Sequence, residues 1–200
     1  MKPKLKMNTT AKFTNTYEIH RDLKKIFTLK GIDLTKVYIA GGSLLKSDSP
    51  NDIDIYCVDL ATIKEVELAL SIISSSTMKT ELASSYMIDS YECPIQVIGI
   101  LIGSPEEVIK QFDFEQNACY MRFSENTPFY TNTTNDLILC PLTKTPNTML
   151  FRLTKMLGKG FTIKKSELIK LMRSVEKHYE LTPDEWNLSK KDLGSFYEAK

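Results

Sequence analysis

The segment that most constrains this chain is residues 37–56, VYIAGGSLLKSDSPNDIDIY. Lys36 to Ala40 is a short β-branched and aromatic run that ends on Gly41-Gly42, and Ser43 follows. After eight intervening residues Asp52 and Asp54 flank Ile53 within DIDIYCV, where polar and apolar residues alternate as in a strand with one exposed face. Alternation sends both carboxylates out of the same face, so their oxygens converge. Two carboxylates that close repel one another unless a cation neutralises them, and a hard, oxygen-seeking divalent ion such as Mg²⁺ suits them. The two glycines permit a tight turn with exposed amide N–H groups, and Ser43 adds a hydroxyl where a short helix begins, a nest suited to phosphate. Each half alone has an ordinary reading, since Gly-Gly-Ser is a common turn and Asp-x-Asp a common solvated strand edge. In this order and spacing they make the equipment for phosphoryl or nucleotidyl transfer.

The rest of the chain reads as α+β with a helical C-terminal portion. Residues 1–14 are polar and aperiodic and read as an arm; residues 15–145 read as the core and 146–200 as the helical portion. From Tyr17 to Lys30, Ile19, Leu23, Ile26 and Phe27 recur at helical spacing, and Gly31 stops the helix. Ala61 to Ser75 repeats the pattern with Ile63, Val66, Leu70 and Ile73. A strand pair is expected near 85–88 and 93–102. Ser104-Pro105-Glu106-Glu107 carries Ser at the N-cap, Pro at N1 and Glu at N3, which starts a helix running to about Phe112. Residues 115–123 and 136–142 read as strands; 147–158, 166–179 and, more weakly, Pro183 onward read as helices, the last with Trp186 as an apolar anchor.

Charge and cysteine usage narrow the partners. The chain has 26 basic and 25 acidic residues, net +1, so no global field draws a long nucleic-acid backbone and long DNA is not an expected partner. The four cysteines, Cys57, Cys93, Cys119 and Cys140, form no CxxC pair, and His20 and His178 add no ligand cluster. Buried thiols in a reducing compartment are the expectation, with His20 on the polar side of the first helix. No apolar run approaches a membrane span, so the expected location is cytoplasmic, bacterial or infected-host, with no membrane partner.

The Gly-Gly-Ser turn followed by a hydrophobic-flanked acidic pair resembles the DNA polymerase β-like nucleotidyltransferase superfamily. The resemblance extends to its viral and phage-type members through Pro94-Ile95-Gln96, Ser104-Pro105-Glu106-Glu107, Phe112-Asp113-Phe114-Glu115, Arg152-x-x-Lys155 and Gly160-Phe161, about residues 36–163 in all. It implies a small mixed β-sheet carrying the acidic pair, helices behind it, and a helical C-terminal part. It implies chemistry too: Mg²⁺ or Mn²⁺ held by Asp52 and Asp54, a nucleoside triphosphate touching Gly41, Gly42 and Ser43, and release of pyrophosphate. The acceptor is an RNA end such as that of tRNA, a small molecule or a protein. Arg152 and Lys155 lie three apart on one helical face and could grip the phosphates together, or form a solvated face beside Leu150, Leu153 and Leu157.

One departure matters. The superfamily places a third carboxylate on a strand beside the acidic pair, and the strand expected there offers Gln96 at its centre. Either Asp113 or Glu115 supplies the acid or the site is weakened. The alternative to an enzyme is therefore a catalytically silent module of the same fold that binds nucleotide or protein. Lys155, Lys159, Lys164, Lys165 and Lys170 cluster basic charge that suits a short RNA or a solvated face equally well.

Overall fold

The computed structural model describes residues 12–45, 47–140 and 146–179. Most of the expected N-terminal arm, the side chain of His178, and the stretch from Pro183 with Trp186 lie outside the described residues. The chain forms two compact units: one of the described residues up to Val108 with Tyr120–Phe129, the other of Ile109–Cys119 and the described residues from Tyr130 on.

In the first unit, helix α1 (Thr16–Leu29) begins where the Asn15 side chain accepts a hydrogen bond from the Tyr17 amide (2.8 Å). It ends at Gly31, whose φ of 73° is left-handed. Strand β1 (Val37–Ala40) leads into the four-residue helix α2 (Gly42–Leu45), and β2 (Ile53–Cys57) returns antiparallel to β1. Asp59 caps helix α3 (Leu60–Ile73), accepting from the Thr62 amide at 2.8 Å, and Lys36 pairs with it at 3.1 Å. The hairpin of β3 (Ser76–Lys79) and β4 (Ala83–Met87) follows, then β5 (Ile95–Ile98). The helix expected from Ser104 is real but short: α4 (Pro105–Val108) passes into a 3₁₀ turn over Ile109–Gln111. Its capping box is in place, with the Ser104 hydroxyl and amide both donating to Glu107 Oε2 (2.9 and 3.0 Å). Strands β6 (Cys119–Arg122) and β7 (Phe129–Tyr130) complete a seven-stranded mixed sheet in the order β3-β4-β5-β2-β1-β6-β7.

Helix α3 lies against β2, β4 and β5, with α1 beside α3. Strand alternation gives that covered face Ile39, Ile53, Ile55, Ile95 and Val97, all essentially without solvent exposure, and α1 adds Ile19, Leu23 and Phe27. Asp54, Gln96 and Ser85 stand on the opposite face, half-buried. Strand β2 departs from the expected open alternation beyond Asp54. Tyr56 is buried because Tyr38 stacks on it (5.7 Å between ring centres), and the Tyr38 hydroxyl donates to the Gly103 carbonyl at 3.0 Å, tying the segment before α4 over this part of the face. His20 also departs from expectation. It is buried, stacked on Phe123 at 4.6 Å, with Nε2 3.2 Å from the Arg122 carbonyl; aromatic packing rather than solvent holds it. Cys57, Cys93 and Cys119 are buried free thiols, as expected, and Cys140 is half-buried and free.

In the second unit, strand β8 (Asp136–Leu137) pairs in parallel with β9 (Thr162–Ile163), and helices α5 (Pro146–Gly158) and α6 (Lys165–Tyr179) pack on each other. The expected strand over 115–123 begins only at Cys119. Before it the chain turns, with Phe114 bridged to Leu139 and buried Gln116 joined at both ends, to the Asp136 carbonyl (2.6 Å) and from the Ile138 amide (3.1 Å).

Candidate functional site

The antiparallel register of β1 and β2 pairs Ile39 with Ile55, so one residue further along Ala40 lies beside Asp54. The Gly41–Ser43 turn therefore leaves the sheet at the end where Asp52 and Asp54 enter it. Gly41 has φ of 89°, a conformation that a side chain would strain, and the chain uses it to swing from β1 straight into α2. Ser43 is 6% exposed, and its Oγ is buried with no hydrogen-bond partner among the described residues. Its own carbonyl is used, accepting from the buried Thr16 hydroxyl at 2.9 Å. A buried hydroxyl without a partner costs free energy unless something from outside satisfies it. Asp52 lies close enough to Cys93 that its charge, after burial, helps push that thiol up to about 11.

Strand β5 runs parallel to β2, with Gln96 beside Asp54 on one side and Ser85 of β4 beside Gln96 on the other. The strand expected to neighbour the acidic pair is thus the one that does, and its side chain next to Asp54 is a neutral amide. Among the described residues no group of three or more His, Cys, Asp or Glu side chains gathers around a common point that could hold a metal. The donor set at β2 still fits an ion that takes one or two carboxylates from the protein and its other ligands from phosphate and water, which is how Mg²⁺ is usually held beside a nucleotide.

On the same sheet the structure adds a cluster that the sequence reading did not single out. Glu106 Oε1 accepts from the Tyr120 hydroxyl and from Arg122 Nη2, both at 2.7 Å, and the Arg122 guanidinium lies 5.1 Å from the Tyr120 ring centre. Phe129 stacks on Tyr120 at 5.2 Å. These hydrogen bonds, that of Tyr120 foremost, hold Glu106 below the usual carboxylate range, while burial and Glu106 push Tyr120 up. Nothing in the local sequence pattern joins Glu106 to Arg122, because the strand order brings them together.

Two other residues singled out in the sequence meet within the second unit. Asp113, 3% exposed, forms an ion pair through Oδ2 with Arg152 Nη1, whose side chain is 29% exposed. Glu115 Oε2 accepts from Asn132 Nδ2 at 2.9 Å, and Asp113 and Glu115 both add negative charge to burial in pushing the Cys140 thiol up to about 11. Lys155 is exposed on α5.

A family model described as Gabija anti-defense 2 family protein matches residues 5–138. No curated protein sequence matches the chain. Among solved structures, a CCA-adding enzyme in complex with CTP superposes with a TM-score of 0.62 at 17% identity, covering 92% of this chain and 46% of that one. The same kind of enzyme with ATP gives 0.60 at 17% identity, covering 92% and 47%. The Thermotoga maritima CCA-adding enzyme complexed with tRNA gives 0.57 at 17%, covering 81% and 42%. The fold is that of these nucleotidyltransferases, and the chain spans less than half the length of each.

Proposed function

Proceeding from the Gabija anti-defense 2 family, to which this chain belongs, we propose that it is a metal-dependent nucleotidyltransferase of viral or phage type. It would move a nucleoside monophosphate from an NTP to an acceptor and release pyrophosphate. An anti-defense family fits a protein acting in the cytoplasm of an infected host. The observation that carries the reading is the buried Ser43 hydroxyl, without a partner among the described residues, in the turn that leaves the sheet beside Asp52 and Asp54. The solved relatives bind CTP, ATP and tRNA, which supports an NTP as donor and RNA as one class of acceptor.

Asp52 and Asp54 would hold Mg²⁺ or Mn²⁺. When bound, the ion supplies positive charge against the phosphate oxygens and orients the leaving group. The Gly41-Gly42 backbone and the Ser43 hydroxyl would hold triphosphate oxygens, the hydroxyl gaining there the partner it lacks among the described residues. Asp113 and Glu115 stay candidates for a third acid, and Arg152 and Lys155 for phosphate contacts.

The neutral Gln96 beside Asp54 favours a second reading, a silent module that binds nucleotide without transferring it. Labelled NTPs with Mg²⁺ or Mn²⁺ and an acceptor mixture separate the two. Transfer that drops by about 100-fold or more in Asp52→Asn and Asp54→Asn supports the enzyme, since one lost metal ligand forfeits several kcal/mol at about 1.4 kcal/mol per decade. Undiminished transfer in both variants would falsify this assignment of the site. Metal-dependent NTP binding with no transfer selects the module.

A further inference from the structure

Resting on the nucleotidyltransferase reading of Asp52 and Asp54, we infer that the acceptor is a protein segment presenting a hydroxyl side chain, bound on the open face of strands β5, β4 and β3. Strand pairing lays one transverse row across that face. Asp54 of β2 is beside Gln96 of β5, Gln96 beside Ser85 of β4, and Ser85 beside Met78 of the edge strand β3. Directly paired residues share a face, and residues two apart on one strand do as well, so Met87 joins them on β4 and Ile98 on β5. Helix α3 covers the other face of β2, β4 and β5, and on this one the row opens outward from the acidic pair. Asp54, Gln96, Ser85 and Ile98 are half-buried, Met87 is 41% exposed and Met78 60% exposed.

The ledge's chemistry points to the partner. Its side chains are the Gln96 amide, the Ser85 and Ser76 hydroxyls, Ala83, Ile98 and two methionines, and the one basic residue of β3, Lys79, alternates to the opposite face, where it pairs with Glu67 at 3.6 Å. RNA is positioned chiefly by lysine, arginine and other donors on its phosphates, and the open face of β5, β4 and β3 carries no basic side chain to meet them. Exposed methionine suits apolar side chains of varied shape, and Gln96 and Ser85 offer neutral hydrogen bonds to a peptide backbone. The ledge is continuous with the acidic pair, so a chain lying along it can place one residue at the reacting phosphorus.

The step balances without a further reagent. The acceptor hydroxyl oxygen bonds to the α-phosphorus, the bond from that phosphorus to the α–β bridging oxygen breaks, pyrophosphate carries away the electron pair, and the hydroxyl proton passes to water.

The test uses the full chain, each α-³²P-labelled NTP, Mg²⁺ and a cell lysate, with the products divided between protease and RNase. The expected label is destroyed by protease and survives RNase. The double variant Met78→Ser, Met87→Ser adds no charge near the metal site; it is expected to lower protein labelling by about five-fold or more, as for loss of two interface anchors, while Mg²⁺-dependent NTP binding measured without acceptor stays the same. Label destroyed by RNase but not protease assigns the acceptor to RNA and overturns the inference. Protein labelling equal in the double variant and wild type also overturns it, because the ledge then takes no part. NTP binding that depends on Asp52 and Asp54 but yields no labelled macromolecule overturns the acceptor and leaves the nucleotide site standing. Binding indifferent to Asp52→Asn and Asp54→Asn fails the underlying reading itself.

Discussion

Arg152 shows what a single side chain's surroundings add to its position in the sequence. Its helical spacing from Lys155 suits either a phosphate clamp or a solvated face, and sequence cannot choose because both need the same exposed-looking register. In the fold its guanidinium is committed to Asp113, a carboxylate almost wholly shut off from solvent. Removing one partner of such a pair leaves the other charge buried without it, so Arg152→Ala is expected to destabilise the second unit by about 3 kcal/mol, against no more than about 0.5 kcal/mol for Lys155→Ala on the exposed side of α5. Equal urea midpoints for the two variants would show that the ion pair carries no such weight. His20 makes a second case. Burial foremost, then the charge of Lys24, hold its pKa below 6.5 against the opposing hydrogen bond to the Arg122 carbonyl. The unfolded chain therefore takes up this proton first, and stability contributed by a neutral His20 is lost as pH falls below about 6.5. A His20→Gln variant should flatten the pH dependence of the urea midpoint between about pH 7.5 and 5; a slope as steep as in the wild type would place the titration elsewhere.

Among the elements, helices with a cap and a full apolar stripe were the legible ones. Ile19, Leu23 and Phe27 define α1 at helical spacing and all three are buried, and the Ser-Pro-Glu-Glu start of α4 forms the capping contacts its residues imply. Strand β3 was not legible. All four of its residues are exposed at the sheet edge, so no apolar alternation marks it, and its pairing with β4 is what makes it a strand. Strand β2 was legible as a strand but not in its burial, because the partners covering Tyr56 come from Tyr38 and Gly103, distant in the sequence. The turn between β1 and α2 was legible to the residue, since only glycine takes the conformation at Gly41 without strain. Gly41→Ala should cost about 1–2 kcal/mol by forcing a β-carbon into the left-handed region. Gly42→Ala, in the right-handed conformation of α2, should cost less in thermal melts. The reverse order would mean that packing, not backbone conformation, selects glycine here.

At the scale of the whole molecule, the acidic pair and its turn were legible because a few adjacent residues carry them, whereas the order of the strands was not. The strand carrying Gln96 was expected beside the acidic pair from the resemblance, but only the fold reveals that it runs parallel to β2, that β4 and β3 extend the same open face, and that Asp113 pairs with Arg152. The division into two units makes a prediction about how nucleotide binding is felt across the chain. A ligand that binds only the folded state stabilises it by RT ln(1 + [L]/Kd), about 2.7 kcal/mol at a hundred times Kd. If the Gly41–Ser43 turn and the Asp52–Asp54 pair hold an NTP with its metal, the gain belongs to the unit built on the seven-stranded sheet. Amide hydrogen exchange is the measurement that resolves this by segment. Adding Mg²⁺ and NTP should slow exchange most in the peptides spanning β1, α2 and β2, and Asp54→Asn should abolish the slowing there. Helix α5 is the informative control. Slowing at Arg152 and Lys155 that disappears together with the β1–β2 signal would support their part in holding phosphate, while an unchanged α5 would leave Arg152 with its structural pairing to Asp113 and no part in the nucleotide site. Slowing that survives Asp54→Asn everywhere would put the nucleotide at some other place on the chain and end the assignment to this turn.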